Sequence, residues 1–411
     1  MASHRELSEL SARARDEGRA KYPKKRFAYP GLLKHSRERV FTALVGPRGA
    51  GKTVLLKQLL SEVESSFYVS IDTEKPEEGL FGLAEDLSGR GVKLLLLDEV
   101  HSYPGFEKEL KKIYDFIPGI NIVLTSSSAL SLRESAYDLS RRVRIMRVPP
   151  FSFREFVFFE KDELLPFIPF GSLLDQADAK ALYGKTMHAE SLFEDYLQGR
   201  NYPFTMGLGN DFLPLFRNIL EKIMNNDVIL AGLATPEEAM EMRRMLGFMG
   251  NSPAEDISYS SIAGNLGITK YKAEKYAELM EKAFVIRRVF PKGSNVMKEP
   301  KILFSPPYRL LYKNYNDCIG SLREDFFADT MHNLGFKINY LKSRRGEKTP
   351  DYVVGKAVVE IGGVSKGTDQ FKGFASSETK IILTHPGTAI DAARRPLFLT
   401  GLLKPESENT Q

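Results

Sequence analysis

An apolar segment that runs through a glycine-rich loop into a helix-like segment is the feature that most constrains the fold of this 411-residue chain. The stretch is TALVGPRGAGKTVLLKQLL, residues 42–60. Glycines leave backbone N–H groups free to surround an anion, and the start of a helix adds unpaired donors and a favourable dipole. The spacing from Gly46 through Gly51, Lys52 and Thr53 therefore predicts a phosphate-binding loop between a strand and a helix.

Side-chain chemistry assigns roles within this loop. Lys52 can reach β- and γ-phosphate oxygens, and Thr53 can hold Mg²⁺. The alternative is an ordinary strand–turn–helix corner. The predicted ATP-binding residues are Gly46, Pro47, Arg48, Gly49, Ala50, Gly51, Lys52, Thr53 and Val54.

Two acids end the next strongly apolar segment, VKLLLLDEVH at residues 92–101. Four consecutive leucines are typical of a parallel strand that is buried on both faces, and ligands of such sheets bind at the carboxyl ends of strands. Asp98 is thus a predicted Mg²⁺ partner, and Glu99 is predicted to activate a water for attack on the γ-phosphate. The alternative is a pair of solvated acids at a strand end.

Strand-like and helix-like stretches alternate over residues 39–148, which predicts an α/β fold with a parallel sheet and helices on both faces. A helix is predicted over Glu107–Phe116. The predicted strands are Val40–Val45, Phe67–Ile71, Val92–Leu97, Ile120–Leu124 and Val143–Val148.

Composition and charge exclude some classes of protein but do not identify a binding partner. The formal net charge of +5 and pI of about 8.9 permit nucleic-acid binding but do not require it. Cys318 is the single cysteine, which excludes an internal disulfide and a cysteine zinc site. The sequence contains no apolar run long enough for a membrane span and no apolar signal region near its start, so we expect a cytoplasmic protein.

Polar residues at the fourth and fifth strands are weaker candidates. Thr125 and Ser126 end the strand predicted to lie beside Asp98, where Ser126 could sense the γ-phosphate; a serine-rich turn is the alternative. Arg141, Arg142 and Arg144 crowd the last strand, and Arg141 or Arg142 could act as an arginine finger in a neighbouring subunit. They could equally be solvated charges that protect an edge strand.

Changes in composition divide the chain into six predicted parts. Their bounds are 1–38 for a basic lead-in, 39–150 for the ATPase core, 151–251 for a helical region, 252–317 for a winged helix, 318–404 for a small α/β domain and 405–411 for a disordered tail.

The winged-helix prediction rests on two helices around Gly267, followed by two strands that flank a basic loop. Ala273, Tyr276, Ala277 and Met280 form the core-facing stripe of the second helix. Cations on its exposed side suit DNA phosphates, although winged helices also bind proteins. These cations are Lys270, Lys272, Lys275, Arg287, Arg288 and Lys292.

Three carboxylates in the last domain resemble the metal-binding core of PD-(D/E)-x-K nucleases. Glu324 lies on a predicted helix, Asp351 begins a strand and Glu360 lies in the next strand. Gly362 stands where the motif has its lysine, and Lys366 or Lys372 could replace it. We therefore expect a nuclease-shaped domain whose active site is degenerate.

At these motifs the chain resembles archaeal and bacterial P-loop ATPases of AAA+ type, near the STAND branch, that end in a restriction-endonuclease-like domain. The likeness covers about residues 35–385. It departs from the family's pattern at Gly49, which replaces an arginine, at His101, which replaces a glutamine, and at Ser126, which replaces a glycine. The segments that carry it are GPRGAGKT, LLLLDEVHSYPGFEKELKKIYD, LTSSSAL, RRVRIMRVPPFSFREF, GRNYP and EIGGVSKGTDQFKG.

The resemblance implies an ATP-hydrolysing protein that uses Mg²⁺, with Lys52, Thr53, Asp98 and Glu99 in the roles given above. Of three possible outputs of hydrolysis, we favour the first and keep the other two as alternatives. The first is an oligomeric motor or remodeller on duplex or branched DNA, gripped by the basic lead-in, the wing and the turn at residues 342–348. The second is a STAND-like nucleotide switch that controls protein partners. The third is an ATP-regulated, metal-dependent nuclease.

Overall fold

The computed structural model describes residues 3–126, 139, 141–209, 211–293, 299–341, 349–372, 378–387 and 390–408. The chain divides into two compact units, Met1–Pro150 and Phe151–Gln411. Within the described ranges, no helix combines the length and the apolar character that crossing a membrane requires.

The first unit is built on a five-stranded sheet in which every pairing is parallel. The strands are Phe41–Val45 (β1), Ser66–Ser70 (β2), Leu94–Asp98 (β3), Asn121–Ser126 (β4) and Val143–Arg147 (β5). Their order in the sheet is β2-β3-β4-β1-β5. The predicted parallel α/β core is therefore confirmed, with strand ends displaced by at most two residues.

This strand order brings the chemically important residues to one edge of the sheet. Strand β4 lies between β1, which leads into the glycine-rich loop, and β3, which ends at Asp98. Because the strands are parallel, their carboxyl ends share that edge. Thr125 and Ser126 therefore lie between the loop and Asp98.

Helices of the first unit bury the sheet. Leu55, Leu56, Leu59 and Leu60 of α3 pack in one cluster with sheet side chains such as Leu96. The helices are His4–Lys21 (α1), Tyr29–His35 (α2), Lys52–Glu62 (α3), Gly79–Gly89 (α4) and Phe106–Phe116 (α5), with a 3₁₀ turn at Val100–Ser102.

The basic lead-in is an integral part of this unit. Helix α1 packs against α3 and β2. Arg15 on α1 donates hydrogen bonds to the carbonyl oxygens of Val63, at 3.1 Å, and Ser66, at 2.7 Å, and also to that of Leu60. Its guanidinium thus covers carbonyls at the carboxyl end of α3, and it is engaged within the fold.

The second unit is mostly helical. Its α-helices are Phe153–Lys161 (α6), Phe170–Leu174 (α7), Gln176–Thr186 (α8), Phe193–Asp195 (α9), Leu213–Lys222 (α10), Pro236–Asn251 (α11), Tyr259–Leu266 (α12), Lys270–Lys282 (α13) and Tyr315–Asn333 (α14). Two segments are π-helical, Tyr196–Arg200 and Ile223–Ile229. The 3₁₀ helices are Met187–Leu192, Pro203–Thr205, Ala254–Asp256, Tyr308–Leu311, Asp369–Phe371, Leu397–Leu402 and Glu406–Glu408.

Two sheets complete the second unit. Strands Ile286–Val289 (β6) and Lys301–Phe304 (β7) form an antiparallel pair that follows α12, a left-handed turn at Gly267 and α13. The strands of the larger sheet are Ile338–Tyr340 (β8), Tyr352–Val354 (β9), Ala357–Gly362 (β10), Thr379–Thr384 (β11) and Arg394–Pro396 (β12). Their order is β12-β11-β10-β9-β8, and the pairing is antiparallel from β8 to β10 and parallel from β10 to β12.

One hydrophobic core joins the segments that we predicted as separate domains after residue 150. It contains Phe153 of α6, Leu303 of the β6–β7 hairpin, Phe326 of α14 and Leu383 of the larger sheet. Phe193 lies edge-on to both Phe153 and Phe326. The helical region, the hairpin and the last sheet therefore belong to a single packed unit.

Candidate functional site

The glycine-rich loop connects β1 to α3 with the backbone that the sequence pattern predicts. Gly49 and Gly51 have φ of +82° and +85°, in the left-handed region that a residue with a side chain rarely adopts. Helix α3 begins at Lys52, immediately after this turn. The loop thus ends at a helix N-terminus, where unpaired N–H groups favour an anion.

Lys52 is buried inside the loop, with 5% of its surface exposed. Its Nζ donates hydrogen bonds to the carbonyl oxygens of Gly46, at 2.8 Å, and Pro47, at 3.0 Å. An ammonium group held among backbone carbonyls at this position can transfer its hydrogen bonds to phosphate oxygens, which are stronger acceptors because they are charged.

Asp98 lies at the centre of a hydrogen-bond network. Thr125 Oγ1 donates to Asp98 Oδ1 at 2.5 Å, and the Tyr68 hydroxyl donates to Oδ2 at 2.8 Å. The Thr53 hydroxyl lies near enough to this carboxyl to lower its pKa. Burial raises the pKa of Asp98 above its usual value, while the hydrogen bonds from Thr125 and Tyr68 and the nearby Thr53 hydroxyl oppose that rise.

Glu99 follows Asp98 in a strained conformation. Its φ of +52° is left-handed, which is uncommon outside glycine. Its backbone N–H donates to Thr125 Oγ1 at 2.8 Å, so the Thr125 hydroxyl connects the two acidic residues. The Glu99 carboxylate is 18% exposed and lies 3.4 Å from Nδ1 of His101.

Thr125, and not Ser126, is the residue near the end of β4 whose side chain contacts Asp98. Ser126, which we predicted as the sensor, is fully buried in register with Val45 of β1. Side chains alternate along a strand, so the Ser126 side chain faces away from the one that contacts Asp98. The sequence did not predict a role for Tyr68. Its contact with Asp98 depends on the pairing of β2 with β3, and no sequence motif predicts that pairing.

Arg141 and Arg142 lie at the opposite edge of the sheet from the loop, because they precede β5, which runs parallel to β1. Arg142 donates two hydrogen bonds to Asp115, at 3.0 and 2.9 Å. Arg141 is exposed, and Arg144 pairs with Glu38 at 2.6 Å. An arginine finger at Arg141 or Arg142 would therefore have to act on a neighbouring subunit, and it stays a prediction.

The three lysines of α13 that we predicted to contact DNA each form an ion pair within the second unit. Their side chains are 35–53% exposed. The pairs are Lys270–Glu299 at 2.5 Å, Lys272–Glu241 at 3.0 Å and Lys275–Glu238 at 2.7 Å. Their charges are thus already neutralised by nearby glutamates.

The expectation that Arg287 and Arg288 lie on an exposed face is wrong. Arg287 is 6% exposed and donates to Asp329 Oδ1 at 2.8 Å. The Arg288 side chain is 15% exposed and pairs with Glu281 at 2.8 Å. Both arginine side chains are thus largely buried and ion-paired where the β6–β7 hairpin packs against neighbouring helices. Lys292 stays half-exposed, 3.6 Å from a Glu378 oxygen, while the basic turn at residues 342–348 lies outside the described residues.

The three predicted nuclease-type acids do come together, accompanied by two lysines. Lys301 of β7 pairs with Glu324, which also accepts a hydrogen bond from the Tyr352 hydroxyl at 2.8 Å. Asp351 accepts one from the Ile361 N–H at 2.8 Å. We call this group, made of Glu324, Asp351, Glu360, Lys301 and Lys366, the C-terminal ionic cluster.

Of the two lysines that we predicted as replacements, Lys366 contacts the cluster and Lys372 does not. The Lys366 Nζ lies 2.6 Å from Glu360 Oε1. A Cβ built on Gly362 would lie 2.9 Å from Cδ of Lys366, so the lysine side chain fills the space that a side chain at 362 would take. Lys372 instead pairs with Asp369 on the surface.

This cluster shows no metal-binding arrangement in the structure. Among the residues described, no group of three His, Cys, Asp or Glu side chains could hold a metal ion. Lys301 and Lys366 pair with Glu324 and Glu360. The resemblance of this domain to a nuclease stays a prediction.

The cluster predicts a pH-dependent stability. Burial and the nearby Glu324 raise the pKa of Asp351 to about 7, so the free energy of unfolding falls as pH rises from about 4 to 7. Asp351→Asn keeps an acceptor for the Ile361 N–H and removes the charge. We expect the variant to be more stable than the wild type at pH 8, on the order of 2 kcal/mol, and equally stable near pH 4.

Urea unfolding of the whole chain at the two pH values measures this difference. Asp369→Asn, at an exposed surface ion pair, serves as the matched control and should change stability little at either pH. A stability change in Asp351→Asn that is the same at pH 4 and pH 8 would contradict the assignment.

Comparison with known proteins finds family models that match two parts of the chain and one similar protein. Residues 38–157 match the model of an AAA domain, and residues 208–305 match a domain of unknown function, DUF8612. An uncharacterized protein of Methanocaldococcus jannaschii, MJ1637, is 28% identical over 399 aligned positions, covering 84% of this chain and 82% of that protein.

Solved structures resemble the chain only weakly. The Walker-type ATPase PABY2304 of Pyrococcus abyssi is 16% identical, with a TM-score of 0.39, over 70% of this chain and 95% of that one. AMPPCP-bound DnaA of Aquifex aeolicus is 13% identical, with a TM-score of 0.25, over 62% and 86%. The glycine-rich loop, Asp98 and Glu99 all lie within the segment that matches the AAA domain.

Proposed function

Taking residues 38–157 as a P-loop ATPase domain of AAA type, we propose that the protein hydrolyses ATP at the site formed by Lys52, Thr53, Asp98 and Glu99. The observation that carries this proposal is the hydrogen-bond network around Asp98. Thr125 connects Asp98 to the backbone of Glu99, and the Thr53 hydroxyl at the start of α3 lies near the same carboxyl.

The residues present fit a Mg²⁺ ion. The Thr53 hydroxyl and the Asp98 carboxylate are neighbours, and Mg²⁺ prefers oxygen ligands of this kind together with substrate phosphates. When bound, Mg²⁺ would neutralise charge on the β- and γ-phosphate oxygens. Thr53 would hold the ion, and Asp98 would orient it.

The remaining steps belong to the protein's own side chains. Lys52 would exchange the Gly46 and Pro47 carbonyls for phosphate oxygens. Glu99 would orient a water and accept its proton as the water oxygen bonds to the γ-phosphorus and the bond to ADP breaks. His101, next to the Glu99 carboxylate, would restrict the direction in which that carboxylate points.

We propose further that ATP organises a homo-oligomer. The support is the placement of Arg141 and Arg142 at the sheet edge opposite the loop, where they would reach only the ATP site of another subunit. Sedimentation velocity with and without Mg-ATP tests this proposal. An ATP-dependent increase in mass supports it, and an unchanged monomer contradicts it.

Two processes are candidates for what ATP hydrolysis drives. A DNA-bound motor is supported by the order of helix, glycine turn, helix and hairpin over residues 259–304, which suits a winged helix. A nucleotide switch with protein partners is supported by the ion pairs at all six predicted DNA-contacting cations, since DNA would first have to displace the glutamates and aspartate. The ion pairs favour the switch.

Steady-state ATP hydrolysis with duplex, single-stranded and four-way-junction DNA separates the two outputs. We expect turnover to be the same with every DNA, as a switch requires. Stimulation by one DNA form that weakens steeply with salt would support the motor and overturn the switch. Lys272→Glu is the matched variant, because it should abolish any such stimulation while leaving DNA-independent turnover intact.

A further inference from the structure

The start of the phosphate-binding loop lies directly against the segment that follows β5. The Val148 N–H donates to the Val45 carbonyl at 2.8 Å. A Cβ on Gly46 would lie 2.0 Å from the Val148 carbonyl oxygen, closer than any two such atoms can approach. The loop and residues 148–150, the last of the first unit, are therefore in close backbone contact.

Arg26 connects the same two segments from a third part of the chain. It lies between α1 and α2 and is only 6% exposed. Its Nη1 donates to the carbonyl oxygen of Ala50 at 2.7 Å and to that of Pro149 at 2.8 Å. Its Nη2 donates to the Pro150 carbonyl at 3.3 Å. One guanidinium thus bridges the loop and the end of the unit.

The Ala50 contact bears on phosphate binding through the geometry of the peptide group. The Ala50 C=O and the Gly51 N–H belong to one planar trans peptide, so they point in opposite directions. Because Arg26 binds the Ala50 carbonyl, the Gly51 N–H points away from the Arg26 guanidinium. An N–H on that side of a glycine-rich loop is the kind of donor that binds an anion.

We propose that Arg26 is a positioning residue that aims the Gly51 amide at the phosphates of ATP and couples the loop to residues 148–150. The inference rests on the proposed ATPase function. When phosphates bind to the loop, the Ala50 peptide becomes more rigid, and Arg26 transmits this restraint to Pro149 and Pro150. Nucleotide binding would then be sensed at the end of the first unit.

The first test is the affinity for ATP. Arg26→Gln should raise the Kd and KM for ATP about tenfold, the loss expected for misplacing one charge-assisted hydrogen bond to phosphate, with kcat changed less than about threefold. Arg26→Lys keeps one donor and should restore part of the affinity. Arg15→Gln is the matched control, since Arg15 also binds carbonyls but at the far end of α3.

The second test is hydrogen exchange at the amides of residues 147–151 with and without Mg-ATP. ATP should slow exchange there in the wild type and in Arg15→Gln, but not in Arg26→Gln. Equal Kd values in the wild type and Arg26→Gln, with the same protection, would overturn the inference. Absence of ATP binding in the wild type would instead overturn the proposed function, so the two failures are distinguishable. Thermal melts of Arg26→Lys confirm folding where Arg26→Gln is unstable.

Discussion

Replacing Glu99 with glutamine is expected to lower ATP turnover by about 10²–10⁴-fold, the usual contribution of a general base. Glutamine has nearly the same shape but cannot accept the proton of the attacking water. The backbone at this position is held independently of the carboxylate, since the Glu99 N–H donates to Thr125 Oγ1. Binding of ATP should therefore be unchanged.

Phosphate release and ATP titration, measured on the same preparation, check this prediction. Glu77→Gln, at an exposed position of the first unit, controls for the loss of one negative charge. Loss of ATP binding together with turnover in Glu99→Gln would mean that the side chain has a structural role. Turnover equal to that of the wild type would place the catalytic base elsewhere.

Replacing Lys52 with alanine is expected to weaken ATP binding by about 3 kcal/mol, or roughly 100-fold in Kd, because two charge-assisted hydrogen bonds to phosphate are lost. Turnover should fall below detection at ordinary ATP concentrations. The fold should persist, since removing Lys52 removes a buried charge whose Nζ donates to carbonyls of the loop itself.

Calorimetric titration with Mg-ATP and a thermal melt of the same variant measure the two effects. Lys57→Ala is the matched control, because Lys57 lies on the same helix and pairs with Glu17 away from the loop. Unaltered affinity in Lys52→Ala would contradict the assignment of the loop. A collapse in melting temperature without a change in affinity would show that Lys52 is structural.

Contiguous motifs predicted the local structure correctly. The strand, glycine-rich loop and helix around residues 41–62 and the strand that ends at Asp98 are encoded within a few residues each, while the roles of the site residues stay predictions. The alternation of strands and helices likewise predicted a parallel sheet. Local patterns suffice where the chemistry lies within one turn or one strand end.

Residues whose roles depend on neighbours distant in sequence were not predicted. Tyr68 reaches Asp98 across 30 positions, and Arg26 reaches Pro149 across 123. The sequence could not choose between Thr125 and Ser126, because one step along a strand reverses the face. It also could not show that Arg287 would be buried by packing of the hairpin on α14.

The measurement that tests the central claim most directly is steady-state phosphate release from ATP by the whole protein, with Mg²⁺ or with EDTA. We expect Mg²⁺-dependent turnover in the wild type. We expect turnover to be lost in Lys52→Ala and in Glu99→Gln, while Glu99→Gln still binds ATP. Wild-type protein that binds Mg-ATP without releasing phosphate, or turnover that survives in both variants, would contradict this claim.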